Sequence, residues 1–171
     1  LADSSPEVAR SFRVVGPDQV LGDLLAVAGV WTQTQPSELD RADIARGREV
    51  VGALGKLDIG QGAVVSRNLV LAVEAAEGTD RMLGRVKDLP VEFLGTAAER
   101  RGVFVKMSKP GQERRIDLPT VGVETVQRCA AAGLAGLAVE AGSAIVLDRD
   151  GMTREADAAG LFILGFDKTS A

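Results

Sequence analysis

The chain has no histidine and a single cysteine, Cys129, among its 171 residues. The lack of histidine excludes Ser-His and Cys-His nucleophilic pairs and every metal site built on imidazole. One cysteine cannot form an intrachain disulfide or a thiolate cluster, and its alanine-rich helical surroundings predict a small buried thiol. Any catalysis must therefore use carboxylates, lysines, hydroxyls or a hard metal ion held by oxygen ligands.

Aromatic residues are also scarce, with five phenylalanines, one tryptophan and no tyrosine. Together with a formal net charge of −4, this scarcity argues against nucleic-acid binding, so any anion site has to be local. No apolar run approaches the roughly eighteen residues that a membrane span needs. The remaining composition, 46% hydrophobic and 26% charged, is typical of a globular domain with a sizeable core.

The pattern of apolar residues predicts an α/β fold in which helices flank a mixed, partly parallel sheet in a single main domain. Ser37 and Asp40 form a weak capping box at the first helix, Arg67-Asn68 forms a hairpin turn, and Thr79 is a natural N-cap. Two strand-helix-strand units near the end indicate right-handed crossovers and parallel pairing. The predicted helices are 38–54, 80–89, 120–132 and 153–159, and the predicted strands are 63–66, 69–75, 103–107, 134–140, 144–147 and 161–166.

The expected domain organisation has three parts. Residues 1–35 are interpreted as the tail of a preceding domain plus a linker, with Trp31 as a packing anchor. Residues 36–168 form the main, catalytic-type domain, and residues 169–171 are a short tail.

Three strands end in a charge. The pentapeptide Leu-Ala-Val-Glu-Ala contains Glu74 in one strand and recurs with Glu140 in another, and Lys106 takes the place of the glutamate in the similar stretch 103–107. Open α/β sheets bind ligands beyond the carboxyl ends of their strands. If the strands run side by side in one direction, these charges meet at one edge; otherwise each reaches solvent or pairs locally.

Residues 106–120 combine four cations, the carboxylates of Glu113 and Asp117, and an expected helix start. Asp117 lies between Ile116 and Leu118, and the helix predicted to begin at Thr120 would offer its N–H groups to an anion. The carboxylate could bind Mg²⁺ together with substrate oxygens, or it could orient or deprotonate water. A plain charged surface loop is the alternative. The candidate phosphate- and substrate-binding residues are Lys106, Lys109, Gln112, Thr120 and Thr79; the candidate metal ligands are Asp117, Glu74 and Glu140.

The stretch Asp58-Ile59-Gly60-Gln61-Gly62 has two glycines but no surrounding phosphate-loop pattern. A nucleotide-binding interpretation is therefore weak. A tight turn with close backbone packing is the favoured interpretation.

Several stretches together resemble one known family, the LpxI-type UDP-2,3-diacylglucosamine pyrophosphatases of bacterial lipid A synthesis. The resemblance covers about residues 36–167 in order. The stretches that carry it are 57–65, 69–75 with 77–80, Lys109-Pro110 with Asp117-Leu118-Pro119-Thr120, 132–136 with 140–142, and 159–162.

The resemblance implies a Mg²⁺-assisted hydrolase that cleaves UDP-2,3-diacylglucosamine to UMP and 2,3-diacylglucosamine 1-phosphate (lipid X), with water attacking the sugar-side phosphorus. The essential aspartate of the family's Asp-Leu-Pro-Thr motif falls on Asp117. The family also carries an N-terminal α/β domain, so a piece without it is expected to turn over little. The resemblance implies a cytoplasmic protein that meets its lipid substrate at the inner-membrane surface; a homodimer is left open.

Two other functions remain open from the sequence. In one, the cationic segment belongs to a non-catalytic module that binds a phosphorylated sugar or nucleotide. In the other, the strand-end charges pair across a dimer interface. An acyl groove cannot be located, although apolar residues of an irregular stretch are candidates for it; core packing is the better interpretation for most of them. They are Leu83, Val86, Leu89, Phe93 and Leu94.

Overall fold

The computed structural model describes residues 22–109 and 118–167. The predictions for residues 1–21 and 168–171 therefore lie outside the described residues. So do those for Gln112 and Asp117, two of the candidate site residues.

Within the described residues, six strands form one mixed sheet in the order β1-β8-β6-β4-β2-β3. Strands β4, β6 and β8 are parallel to one another, whereas β2 is antiparallel to both of its neighbours and β1 is antiparallel to β8. Two further strands, β5 and β7, form a separate parallel pair. The bounds are β1 Gly29–Val30, β2 Gly62–Ser66, β3 Leu69–Val73, β4 Val103–Lys106, β5 Thr120–Val121, β6 Gly136–Glu140, β7 Ile145–Val146 and β8 Phe162–Phe166.

In the part of the chain that the structure describes, four α-helices cover the two faces of the sheet. They are α1 Glu38–Lys56, α2 Gly78–Lys87, α3 Val123–Ala131 and α4 Arg149–Ala159. Ile44 of α1 packs on Val103 and Val105 of one face. Helices α2, α3 and α4 pack on the other face, where Phe104 and Leu137 point into the larger core cluster. The predicted mixed α/β class is confirmed.

The hairpin turn and the start of the first helix are as predicted. Arg67 and Asn68 both have positive φ, 52° and 64°, as a two-residue type I′ turn requires. Asp43 of α1 is 3% exposed, and its carboxylate accepts hydrogen bonds from both turn N–H groups, at 3.0 and 2.6 Å. Ser37 and Asp40 form the expected capping box.

The predicted end of α1 is wrong. Gly55 lies inside the helix, which continues to Lys56. The left-handed residue that follows is Asp58, with φ of 57°, so an aspartate rather than the glycine makes the turn.

The predicted role of Thr79 as a helix cap is also wrong. Helix α2 begins at Gly78, two residues earlier than predicted, and its N-cap Glu77 makes no side-chain capping bond. The Thr79 hydroxyl instead bonds to side chains of the sheet edge. The hydroxyl that the local sequence pattern assigned to helix capping is therefore used in tertiary hydrogen bonds.

Thr120 does not begin a helix. It pairs with Ile145 as the first residue of β5, and α3 begins at Val123 after the N-cap Gly122. Val121 is 1% exposed in the core, so this β-branched residue is stabilised in an extended conformation by packing. The expected anion site on helix N–H groups at Thr120 is therefore wrong.

The remaining elements differ from prediction mainly at their bounds. Helix α4 begins at Arg149 rather than residue 153, because Asp148 caps it by accepting from the Gly151 N–H at 2.9 Å. Gly160 ends it in the left-handed conformation, as expected. Trp31 packs against the main core, as predicted for an anchor. Over the described residues, no helix combines the length and apolar character that crossing a membrane requires.

Candidate functional site

Chain direction brings the charged strand ends to one edge of the sheet. Because β2 is antiparallel to both β3 and β4, those two strands run the same way as each other and as β6. Lys106 and Glu140, which end β4 and β6, and Glu74, which follows β3, therefore lie at a common edge, as the sequence predicts. The strands are not all side by side, however, since β2 lies between β3 and β4.

Lys106, Thr79 and Glu74 form a connected group at this edge. Lys106 Nζ donates to Thr79 Oγ1 at 2.5 Å, and Thr79 Oγ1 donates to Glu74 Oε1 at 2.9 Å. Lys106 Nζ and Glu74 Oε1 are 3.7 Å apart, with side chains only 7% and 13% exposed. An ion pair this well shielded from water is screened little by salt. It holds the Lys106 ammonium group at the carboxyl end of β4.

The two glycines of the Asp58–Gly62 stretch make room for Glu74. A Cβ on Gly60 would lie 1.8 Å from the Glu74 carbonyl oxygen, and one on Gly62 would lie 2.7 Å from Glu74 Oε2. The Glu74 N–H also donates to the Gly62 carbonyl at 2.8 Å. The tight turn with close backbone packing is thus confirmed, and its packing partner is the candidate site itself.

Glu140 belongs to the other face of the sheet. It pairs in register with Phe166, which packs in the α1-side cluster, whereas Lys106 pairs with Val139 of the larger cluster. Its side chain is fully buried, and Oε2 accepts from the N–H and the hydroxyl of Ser108 at 3.0 and 2.7 Å. Glu140 therefore lies at the common edge but on the face opposite Lys106 and Glu74, because strand alternation reverses its direction.

The remaining lysine and threonine candidates lie on either side of residues 110–117. Lys109 Nζ is 2.8 Å from Asp58 Oδ1, which ties the start of this segment to the turn before β2. Thr120, after the segment, is exposed and its hydroxyl donates to the Leu118 carbonyl at 3.4 Å. Lys109 is therefore tied to the main sheet, whereas Thr120 belongs to the separate β5–β7 pair.

The described residues do not by themselves fit a magnesium ion. Over 22–109 and 118–167 no group of three or more His, Cys, Asp or Glu side chains could hold a metal. Glu74 Oε1 is used by Thr79 and Lys106, and a cation beside that ammonium would be repelled. Glu74 Oε2 faces the crowded space between Gly62 and the Phe104 ring. A magnesium site would depend on Asp117, outside this part of the chain.

Cys129 takes no part in the site. It is fully buried in α3, and burial raises the pKa of its thiol to about 12. The group is therefore a neutral thiol at physiological pH and not a nucleophile, as its surroundings in the sequence predict.

Sequence reasoning missed Ser108 and Asp58. Ser108 offered no signal, because its bonds to Glu140 join residues 32 positions apart. Asp58 offered no signal, because its bond to Lys109 joins residues 51 positions apart.

Most acyl-groove candidates belong to the core, as the alternative interpretation held. Leu83, Val86 and Leu94 are 5% exposed or less. Leu89 is half-buried against the same core, and Phe93 is 39% exposed. The helix α2 candidates therefore offer no surface for a lipid chain.

Comparison with known proteins decides the family. The family model described as the LpxI C-terminal domain matches residues 27–164, which is most of the chain and the whole of the sheet except the last two residues of β8. The chain belongs to the LpxI family. The match takes in β1, which lies within residues 1–35, the stretch interpreted from the sequence as the tail of a preceding domain plus a linker.

One curated LpxI is similar over most of this chain. The UDP-2,3-diacylglucosamine pyrophosphatase LpxI of Caulobacter vibrioides is 49% identical over 158 residues, which cover 92% of this chain and 56% of the relative. The chain therefore spans little more than half the length of that LpxI. The resemblance found in the sequence is confirmed at the level of the family.

Proposed function

We propose that this domain catalyses hydrolysis of the pyrophosphate bond of UDP-2,3-diacylglucosamine, giving UMP and 2,3-diacylglucosamine 1-phosphate in lipid A synthesis. The observation that carries the proposal is the 49% identity to a pyrophosphatase named for that substrate. The site is consistent with it, because a shielded lysine and a second lysine lie at the sheet edge where open α/β folds bind ligands.

Phosphoryl transfer depends on positioning and charge stabilisation more than on covalent chemistry. Lys106 would donate hydrogen bonds to a non-bridging phosphate oxygen and offset the negative charge that builds up there. Lys109 would contribute charge at the mouth of the site, since its side chain is 18% exposed. A histidine-free site can therefore support this reaction.

Asp117 is proposed as the catalytic residue that orients or deprotonates the attacking water. Its neighbour in the chain, Lys109, lies at this sheet edge, where its ammonium is 2.8 Å from the Asp58 carboxylate, and this supports the proposal. Asp117→Asn should abolish UMP release while leaving substrate affinity nearly unchanged, because the amide keeps the shape but not the base. Full activity in that variant would remove Asp117 from the mechanism.

Mg²⁺ dependence is part of the proposal. When bound, the ion would offset phosphate charge, held by Asp117 and substrate oxygens. Chelation should then stop hydrolysis, and added Mg²⁺ should restore it. Hydrolysis that survives chelation would contradict the requirement.

The proposal extends to the setting of the enzyme. The substrate carries two acyl chains, so a cytoplasmic enzyme would meet it at the inner-membrane surface. The isolated domain is proposed to turn over slowly, because the Caulobacter relative is nearly twice as long as the matched part. A homodimer is a further possibility that sedimentation can measure.

The direct test measures UMP release from UDP-2,3-diacylglucosamine by the full-length protein and by residues 1–171. The proposal expects turnover by the full-length protein and little by the domain. Comparable rates would contradict the dependence on the longer chain. Tight substrate binding with no hydrolysis would instead favour the non-catalytic binding module.

A further inference from the structure

The hydrogen bonds around Lys106 have a fixed direction. An ammonium can only donate, so Thr79 Oγ1 is the acceptor at 2.5 Å. The hydroxyl proton is then left for Glu74 Oε1, 2.9 Å away, and a carboxylate can only accept. The ammonium, the hydroxyl and the carboxylate thus form one hydrogen-bond chain with a single arrangement of protons.

Residues from three separate structural elements form this hydrogen-bond chain. Lys106 ends a central strand and is 5% exposed. Thr79 is in the first turn of α2, which is fixed to the core by fully buried residues such as Met82. Glu74 follows β3, and its carboxylate fits against the bare backbone of Gly62. Neither a longer residue at position 62 nor a shift of α2 is compatible with the arrangement.

A lysine on a flexible four-carbon chain normally loses rotamer freedom when it binds an anion. In this domain the Lys106 side chain loses that rotamer freedom on folding, because its ammonium is already held at hydrogen-bond distance from Thr79 Oγ1. The effect of a preorganised donor is greatest where charge develops during a reaction.

We propose that Glu74 and Thr79 are positioning residues for Lys106, and that Glu74 is not a metal ligand. They hold the ammonium at the sheet edge so that it meets the substrate phosphate in a single orientation. This inference rests on the proposed hydrolysis for its kinetic consequences but not for its structural ones. Gly62 is the residue that allows the carboxylate to occupy its place.

A double-mutant cycle in the full-length protein tests the inference. Lys106→Met should lower kcat about 100- to 1,000-fold, as for the loss of a preorganised donor. Thr79→Val should lower kcat about tenfold or more, and Thr79→Ser, which keeps the hydroxyl, should restore it. In the Lys106→Met background, Thr79→Val and Glu74→Gln should have no further effect on kcat. Losses that multiply would show that the residues act independently and would overturn the inference.

Magnesium titration separates positioning from metal binding at Glu74. Glu74→Gln should lower kcat and leave the Mg²⁺ concentration for half-maximal rate unchanged. A rise of tenfold or more in that concentration would make Glu74 a ligand and would overturn the assignment. Glu49→Gln is the matched control, since Glu49 makes an exposed ion pair with Arg46 on α1.

A spectroscopic measurement keeps the inference testable without turnover. In protein labelled with ¹⁵N-lysine, the Lys106 ammonium should give a protected signal that disappears or shifts in Thr79→Val and returns in Thr79→Ser. If the wild-type protein released no UMP but showed this pattern, the proposed function would fail and the positioning would stand. If it released UMP and the signal did not respond to either variant, the positioning would fail alone.

Discussion

The two copies of the pentapeptide Leu-Ala-Val-Glu-Ala place their glutamates on opposite faces of the sheet. In the first copy, Glu74 faces the side of α2 and takes part in the chain that holds Lys106. In the second copy, Glu140 faces the side of α1, is fully buried, and binds the backbone and hydroxyl of Ser108. Five identical residues therefore supply one carboxylate to the candidate site and another to the structure of the loop after β4.

The difference comes from register and not from local sequence. Lys106 is in register with Val139, so the next residue, Glu140, points to the opposite face. Glu74 instead follows an edge strand and is separated from β4 by the antiparallel β2. Which face a strand-end charge occupies is set by the partner strands, and these come from distant parts of the chain.

The largest expected effect on stability comes from the turn beside Glu74. Gly60→Ala would place a Cβ 1.8 Å from the Glu74 carbonyl oxygen, so backbone has to move. We expect a loss of about 3 kcal/mol in the free energy of unfolding, as for an overpacked site. Urea denaturation measures it.

Gly52→Ala is the matched control for that substitution. Gly52 lies within α1 and a Cβ there would meet nothing within 4 Å. It should stabilise the protein by about 0.5–1 kcal/mol, because alanine is the better helix former. Equal effects at the two glycines would mean that the close packing around Glu74 is not a constraint.

The second prediction concerns the other copy of the pentapeptide. Glu140→Ala would leave the Ser108 N–H and hydroxyl without their carboxylate, so we expect a loss of about 2 kcal/mol in the free energy of unfolding. Ser108→Ala should cost about 1 kcal/mol, and the double variant should cost less than the sum of the two. Additive losses would contradict the direct coupling, and an unchanged midpoint in Glu140→Ala would contradict its structural role.

The smallest effect is expected at the exposed ion pair of the same edge. Asp58→Asn removes the carboxylate that meets Lys109, but Asp58 is 84% exposed and asparagine tolerates its positive φ. The free energy of unfolding should change by less than about 0.5 kcal/mol, as for other surface pairs. A change several times larger, measured by urea denaturation, would mean that the ion pair of Lys109 stabilises the fold as strongly as the buried ion pair of Lys106.

The sequence predicts the features that depend on near neighbours. The type I′ turn at Arg67-Asn68, the capping box at Ser37 and the glycine end of α4 were all predictable, because each involves residues within a few positions. Strand-end charges at a common edge followed from the alternation of strands and helices.

Features that depend on tertiary pairing were not predictable. Thr79 fits the pattern of a helix cap, yet its hydroxyl bonds to Lys106, 27 positions away. Thr120 precedes a helix but pairs with Ile145 instead. In both cases a contact with a distant residue outweighs a local preference of roughly 1 kcal/mol.

The rate of UMP release by the full-length protein carrying Lys106→Met, compared with wild type, tests the central claim most directly. Lys87→Met is the control, since Lys87 lies exposed in the last turn of α2, whereas Thr79 lies in its first turn. The account predicts a rate about 100-fold or more below wild type for Lys106→Met and a wild-type rate for Lys87→Met. A wild-type rate in folded Lys106→Met would contradict the assignment of this sheet edge as the site of hydrolysis.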